Sequence, residues 1–405
     1  MTSSASTAAA FPTGRVAALA IAETLVWAGM FYSFPALIAY WEADLGWSKT
    51  ELAGAYSAAL VCSALCAPLM GKIIDKGHGR AVLTVCAVVG GVLVGLLSVV
   101  QASWQFFVLW LGIGVCMSGC LYEPCFAFVT RMMGGEARRA ITRITLIAGF
   151  AGTVSFPLAG FVSEAYGWRV AVLTFAVIIL VVAIPLFRYG TALPAPEEEP
   201  ETRKPLPGSS SDLRRAMAKP TFWLLGITFS MIGLTHGIII THLLPMLAER
   251  DVPVATAVLA ASMIGPMQVA GRVAMMVVER RLSMQVICAV SFLFMIAAIS
   301  SLIGSMALPA LLVLFVFFQG SGYGVTSITR PVVTAEILGR QGFGSISGAL
   351  ALGFMGANAA AATLGAAIWE VGGYAMVRWM VFGCVLVGLM AFLTAMTLAK
   401  RERAA

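Results

Sequence analysis

The chain has 405 residues, of which 60% are hydrophobic and only 11% charged, and its formal net charge is +7. Soluble domains carry roughly 25% charged residues, so a soluble enzyme or a nucleic-acid binder is excluded, and the basic excess bears on orientation in a bilayer rather than on an acidic partner. Twelve membrane spans of about 20 residues would use about 240 apolar positions, close to what 60% of 405 supplies.

In chain order, Met1 to Gly14 is rich in Ser, Ala and Thr and lacks a basic segment followed by an apolar core. It reads as a disordered tail (1–14), not a signal peptide. Breaks at charged and Gly/Pro clusters then predict helices over 15–41, 49–74, 81–101, 104–131, 138–165 and 168–188. Residues 189–220 contain Pro-Ala-Pro-Glu-Glu-Glu-Pro and Gly-Ser-Ser-Ser, the composition of a linker with no fold of its own. Six further helices follow, over 221–248, 253–279, 283–306, 308–338, 343–370 and 373–399, with a short tail at 400–405. The expected organisation is therefore all-α, with a six-helix bundle at 15–188 and a second at 221–399. Shifting the sequence by 207 residues lays Tyr122-Glu123-Pro124 over Thr329-Arg330-Pro331, the weak internal echo that transporter repeats leave.

Orientation follows from Lys and Arg. Twenty of the 26 fall on the side of the N-terminus, the even-to-odd connections and the C-terminus: Arg15; Lys72, Lys76 and Arg80; Arg131, Arg138, Arg139 and Arg143; Arg188, Arg203, Lys204, Arg214, Arg215 and Lys219; Arg280 and Arg281; Arg340; Lys400, Arg401 and Arg403. Four, Lys49, Arg169, Arg250 and Arg378, fall on the other. That asymmetry predicts a multi-pass protein of the cell inner membrane with both termini in the cytoplasm. The eight cysteines lie in apolar stretches without CxxC spacing and read as small buried hydrophobes. Glycine runs such as Gly320-x-Gly322-x-Gly324 lie inside apolar helices, where close packing explains them better than a phosphate loop.

Only four charged residues sit well inside predicted spans: Glu23, Glu123, Arg272 and Arg330. Each costs at least ~2.5 kcal/mol at a bilayer centre, so they belong in a protein interior or a cavity. At 1.5 Å per residue all four lie ~11 Å from the basic side. A guanidinium pairs bidentately with carboxylate and keeps its charge when partly buried, so Arg272 and Arg330 are candidates for holding an organic anion. Glu23 and Glu123 are candidates for carrying a proton. The competing reading is an inert ion pair, Glu123 with Arg330 across the two halves. Tyr323 and Thr326 share the Arg330 face of their helix; Trp27 lies one turn from Glu23, Tyr122 adjoins Glu123, and Asn358 is the one amide in its helix. His236, mid-helix, is a hydrogen-bonding or proton-relay candidate, although a lone His in an apolar helix is more often packing. No Ser/His/Asp set, metal-spaced cluster or nucleotide motif stands out, so no enzyme activity, cofactor or metal is expected.

The connection Gly71-Lys-Ile-Ile-Asp75-Lys76-Gly-His-Gly-Arg80 resembles the G-x-x-x-D-R/K-x-G-R-K/R loop of the major facilitator superfamily, with His78 where that family usually has Gly. The resemblance extends over nearly the whole chain. It implies two pseudo-symmetric six-helix bundles, helices 1, 4, 7 and 10 around a central cavity, and a gating role for Gly71, Asp75, Lys76 and Arg80, in which Gly71 permits close helix approach. Three segments are similar to the monocarboxylate and oxalate/formate branch: Leu45-Gly-Trp-Ser-Lys-Thr-Glu51, Met267-Gln-Val-Ala-Gly-Arg272, and Arg330-Pro331 with Gly342-Phe-Gly-Ser-Ile-Ser-Gly348. In related carboxylate transporters an arginine at the Arg272 position meets the substrate, and Gln268 replaces an acid that the animal members carry. Gly152-Thr-Val-Ser-Phe-Pro157-Leu-Ala-Gly160 only partly resembles the motif of drug/proton antiporters. The resemblance thus implies a monomeric secondary transporter moving a small organic anion, with protons and the lipid bilayer as its other partners. Proton-coupled efflux of hydrophobic or cationic compounds, or ligand sensing without transport, stay open as alternatives.

Overall fold

The computed structural model describes residues 12–192, 210–339 and 343–404. The tail before residue 12, most of the expected linker (193–209), Arg340 and Gly342 lie outside the described residues. Among the described residues ten continuous helical stretches are long and apolar enough to cross a membrane. Two of them, at 51 and 56 residues, are more than two and a half times the ~30 Å of a bilayer core at 1.5 Å per residue. Each turns back at glycine: Gly77 takes φ 94°, and Gly372 and Gly373 leave helical geometry. Twelve passes result: α1 (Thr13–Leu45), α2 (Lys49–Ile73), α3 (Gly79–Leu96), α4 (Ser103–Met133), α5 (Arg139–Tyr166), α6 (Trp168–Gly190), α7 (Pro220–Ala248), α8 (Val254–Val278), α9 (Met284–Gly304), α10 (Leu311–Leu338), α11 (343–371) and α12 (374–404).

These spans follow the expected ones closely, with two corrections. Ser210–Met217 is helical although it lies in the stretch expected to be structureless. Its Leu213 and Ala216 join the apolar core of the second half, and Trp223 donates from Nε1 to the Met217 carbonyl at 2.9 Å. Also, α12 runs on to Ala404, through most of the expected tail, because its last turn reads Lys-Arg-Glu-Arg, good helix formers that can face water.

Helices α1–α6 pack among themselves, as do α7–α12, and the halves meet through α2 on α11, α5 on α8 and the end of α1 on α7. The cores are unevenly shared. One apolar cluster runs through the first half and continues into the second only through residues remote from the termini, such as Leu243, Ile264, Leu302, Phe315, Ala362 and Tyr374. On the basic side the second half has a separate core built on Phe222, Phe229, Phe292, Leu350 and Phe392. The bundles are therefore packed together at the face opposite the termini and parted at the basic face. α2 illustrates the gradient: Leu52, Ala53, Ala55, Tyr56 and Ala59 are buried, whereas none of residues 60–73 is.

Candidate transport cavity

A cavity of about 270 Å³ lies between the halves. Its first wall comes from α1, where Trp27–Tyr32 form a π-helical turn. Pro35 has no N–H for the Phe31 carbonyl four residues back, and its ring crowds that carbonyl. The Tyr56 hydroxyl donates to Phe31 O instead, at 3.3 Å. The wider turn presents Trp27, Phe31 and Tyr32 to the cavity together, the kind of place where π-bulges recur. Trp27 packs on Tyr122 with ring centroids 4.7 Å apart.

The second wall is α4, which breaks at Leu121 (φ −94°, ψ −161°) and restarts as Tyr122–Met133. Glu123 falls in the first turn of the restarted helix, at the end whose unpaired N–H groups favour negative charge. Discontinuous helices at the repeat interface are a recurring feature of transporter sites.

The third wall comes from the second half. Tyr323, Thr326 and Arg330 line the cavity from one face of α10, as their spacing requires. The Arg330 guanidinium lies 4.1 Å from the centroid of Phe354, which holds the charge on an aromatic face. The His236 ring stacks on Tyr323 with an interplanar angle of 6°, and its Nδ1 is buried without a partner. Thr326 Oγ1 donates to the Tyr323 carbonyl at 2.7 Å.

Arg272 is both strut and wall. It is buried, donates from Nε to the Gly324 carbonyl at 2.9 Å and from Nη1 to the Thr145 carbonyl at 3.1 Å, and so ties α8 to α10 and to α5 of the other half. The approach is close because of glycine: a Cβ on Gly271 would lie 2.6 Å from Ser321 O. Gln268 lines the cavity next to Arg272, and Asn358 does so while donating to the Gly233 carbonyl at 3.1 Å.

The cavity thus gathers Arg330, Arg272, Tyr323, Thr326, Asn358, Trp27, Tyr122, His236, Gln268 and Glu123. Two expectations, and the competing ion-pair reading, differ from the structure. Glu23 is not in the wall. It is fully buried in the first bundle facing Cys125 and Trp27, and neither carboxylate oxygen has a hydrogen-bond partner. Helical position puts α1 beside the cavity, and Glu23 lies one turn from Trp27 on the same face, but the indole reaches the cavity wall while the carboxyl group stays inside the bundle. Second, Glu123 and Arg330 share the cavity without forming an ion pair: none of the ion pairs among the described residues involves either. Third, a Cβ on Gly71 would meet nothing within 4 Å, so close approach does not explain that glycine in this conformation. The tight glycine nearby is Gly79, whose Cβ would lie 2.7 Å from Phe128. Asp75 accepts from the Arg131 guanidinium through its backbone carbonyl, which ties the α2–α3 turn to α4, while Lys76 and Arg80 are exposed.

One polar centre escaped sequence reasoning. Lys49, at the end of α2 on the sealed face, is 6% exposed, with Nζ 3.4 Å from Glu42 and 3.7 Å from the Trp369 ring centroid in the other half. About two turns further along α2, Ser57 and Thr363 share a 2.9 Å hydrogen bond between α2 and α11. His242 is satisfied by Tyr374 and the Ala362 carbonyl, a packing residue.

A model of the Major Facilitator Superfamily matches residues 19–307. The chain belongs to that superfamily. It is an all-helical multi-pass membrane protein and a secondary transporter by family. Among solved structures, it is similar to a bacterial homologue of the human lysosomal transporter Spinster in an inward-facing, unoccupied conformation (TM-score 0.70, 16% identity, 96% of this chain and 98% of that one). It is also similar to the nucleoside transporter NupG (0.68, 15%, 94% and 99%) and to the human organic anion transporter MFSD10 (0.64, 17%, 94% and 100%). At such identities the likeness is one of fold. No curated protein matches the chain significantly.

Proposed function

We propose that the protein moves a small organic anion, a monocarboxylate, across the cell inner membrane by alternating access with proton symport. The observation that carries this reading is the charge of the cavity. Two guanidinium groups, Arg272 and Arg330, face one carboxylate, Glu123, with no ion pair between Glu123 and Arg330. The net is one positive charge, available to an anion that a guanidinium can grip in bidentate fashion. At about 270 Å³ the space is just below the range of drug-sized ligand sites, which suits a small molecule. The aromatic walls contributed by Trp27, Tyr32, Tyr122 and Tyr323 suit an apolar body behind the carboxylate. The human organic anion transporter named above is one fold relative whose cargo has this chemistry; NupG is one whose cargo does not.

Proton coupling follows from the same count. The empty cavity with Glu123 ionised carries +1, and the cavity with a monoanion bound and Glu123 protonated again carries +1. Both legs of the cycle then bury the same charge, which avoids the cost of occluding an extra ion. Glu123 is placed for this because it opens on the cavity. Glu23, sealed inside the first bundle away from the cavity wall, has no such opening.

With the basic side in the cytoplasm, the structure is closed outside and open inside. Lys49, Trp369 and the Ser57–Thr363 bond are the outer seal, and the α2–α3 turn with Asp75, Lys76 and Arg80 is the element that must rearrange when the inner face closes.

Thermal-shift titration of purified protein tests the substrate class. Monocarboxylates should raise the melting temperature in the wild type and not in Arg330→Ala. Stabilisation by a sugar, a nucleoside or a hydrophobic cation, with none by carboxylates, would contradict the reading.

A further inference from the structure

A second cavity, of about 350 Å³, opens on the outer surface of the second half. It exists because α8 and α9 each pack on α10 and make almost no contact with each other. Small residues, Ala270, Gly271 and Ala274 on α8 with Ser321 and Gly322 on α10, leave the floor of the crevice shallow-walled, and Val278, Leu282, Val290 and Phe317 form exposed apolar rims. The two serines in its lining add no free donors. Ser291 donates to the Ile287 carbonyl at 2.9 Å and Ser321 lies 3.5 Å from the Met267 carbonyl. Met275, Ile287 and Val325 form a small apolar cluster at its base, separate from both main cores.

Three features of the crevice bear on its occupant. Along α8 it runs from Ala270 to Val278, ~12 Å at 1.5 Å per residue, against the ~15 Å that is half of a bilayer's hydrocarbon core. Its end at the basic face is the turn Glu279-Arg280-Arg281-Leu282, where both arginines are exposed and neither forms an ion pair among the described residues. The same turn leads into the N-terminus of the 21-residue α9, capped by Ser283, which adds donors for an anionic oxygen. An apolar slot one leaflet deep, ending at two unpaired guanidinium groups and a helix N-terminus, matches one molecule with a hydrocarbon tail and an anionic head.

The geometry points to a bound anionic phospholipid: one acyl chain lies in the α8–α9 crevice and the phosphate sits at Arg280 and Arg281. Its occupant lies one helix away from the transport cavity, since Gly271 lines the crevice and its neighbour Arg272 lines the cavity.

Native mass spectrometry of the detergent-purified full chain tests this, with phosphatidylglycerol or phosphatidylcholine added at equal concentration. Wild-type protein should retain one phosphatidylglycerol in preference to phosphatidylcholine. Arg280→Gln with Arg281→Gln should weaken that binding about 25-fold, taking about fivefold per arginine. Ala274→Phe, which fills the exposed crevice without entering a core, should remove binding of both lipids. Unchanged melting temperatures of the variants exclude misfolding as the cause. Equal retention of the two lipids by the wild type, or undiminished phosphatidylglycerol binding in either variant, would overturn the assignment.

Discussion

Removing the Lys49 charge should open the outer face. In the structure the ammonium lies 3.7 Å from the Trp369 ring centroid and 5.1 Å from that of Tyr374, and it is 6% exposed, whereas its partner Glu42 is 32% exposed. A largely desolvated cation–π contact contributes ~2 kcal/mol, and a half-solvated ion pair a further 0.2–1 kcal/mol on the scale of exposed pairs, roughly. Only the ring contact crosses between the halves, since Glu42 belongs to the same bundle as Lys49 and stays beside it when they part, so Lys49→Met should shift the ratio of outer-closed to outer-open molecules by about 30-fold. Met keeps most of the aliphatic stem and removes the charge. Spin labels on Gln101 and Leu308, exposed in the α3–α4 and α9–α10 connections, report the separation of the two halves there by pulsed electron spectroscopy, with the partly accessible Cys62, Cys66 and Cys384 replaced by Ser. The variant should gain a population at longer distance. Trp369→Leu should reproduce most of the effect and Glu42→Gln little of it. An unchanged distance distribution in Lys49→Met, or an equal effect from Glu42→Gln, would refute the assignment of the seal to the cation–π contact.

Four further outcomes are expected. Arg330→Ala removes a charge-assisted contact of ~1.5–3 kcal/mol and should weaken carboxylate binding by roughly 10- to 150-fold in calorimetric titration, with Arg330→Lys intermediate because it cannot bind bidentately. Glu123→Gln should abolish proton-driven uptake while exchange of substrate persists; Glu23→Gln, isosteric in a site without partners for a carboxylate, should keep both the melting temperature and uptake, and the reverse pattern would move the proton to Glu23. Gly271→Val places carbon where Ser321 backbone now lies and should destabilise the second half by about 1–3 kcal/mol or more, as overpacking does, read as a lower melting temperature in detergent. Tyr56→Phe leaves the Phe31 carbonyl without its donor at the π-turn and should cost about 1 kcal/mol, read in the same assay.

How much of this was legible from the residues depends on the kind of signal. Span positions were, because continuous apolar runs bounded by charge have no other good explanation at this length; α7, expected at 221–248, is Pro220–Ala248. Arg272, Arg330 and Glu123 were legible because charge inside a span is expensive, and rarity points to a cavity. Glu23 shows the limit of that argument: cost excludes the lipid face but does not distinguish a cavity wall from a bundle interior, and only packing leaves Trp27 in the wall and Glu23, one turn away, inside the bundle. Lys49 was hidden because a lysine at the end of a span looks like any loop charge until Trp369, 320 residues later, is folded over it. The π-turn of α1 had a faint signal in Pro35, whose missing N–H had to leave the Phe31 carbonyl to another donor. The break at Leu121 had a weaker one in Pro124. The two cavity arginines also differ in a way that composition does not reveal: Arg272 spends two nitrogens on backbone carbonyls and holds the halves together, while Arg330 rests on an aromatic ring.

The central claim is that a carboxylate and a proton cross together through the cavity between the halves. Purified protein in liposomes, given a radiolabelled monocarboxylate with the internal pH above the external, measures this directly. The account predicts uptake above equilibrium that collapses with a protonophore and is absent in Arg330→Ala. Uptake indifferent to the pH gradient, or no uptake across a panel of mono- and dicarboxylates while sugars or nucleosides enter, would contradict it.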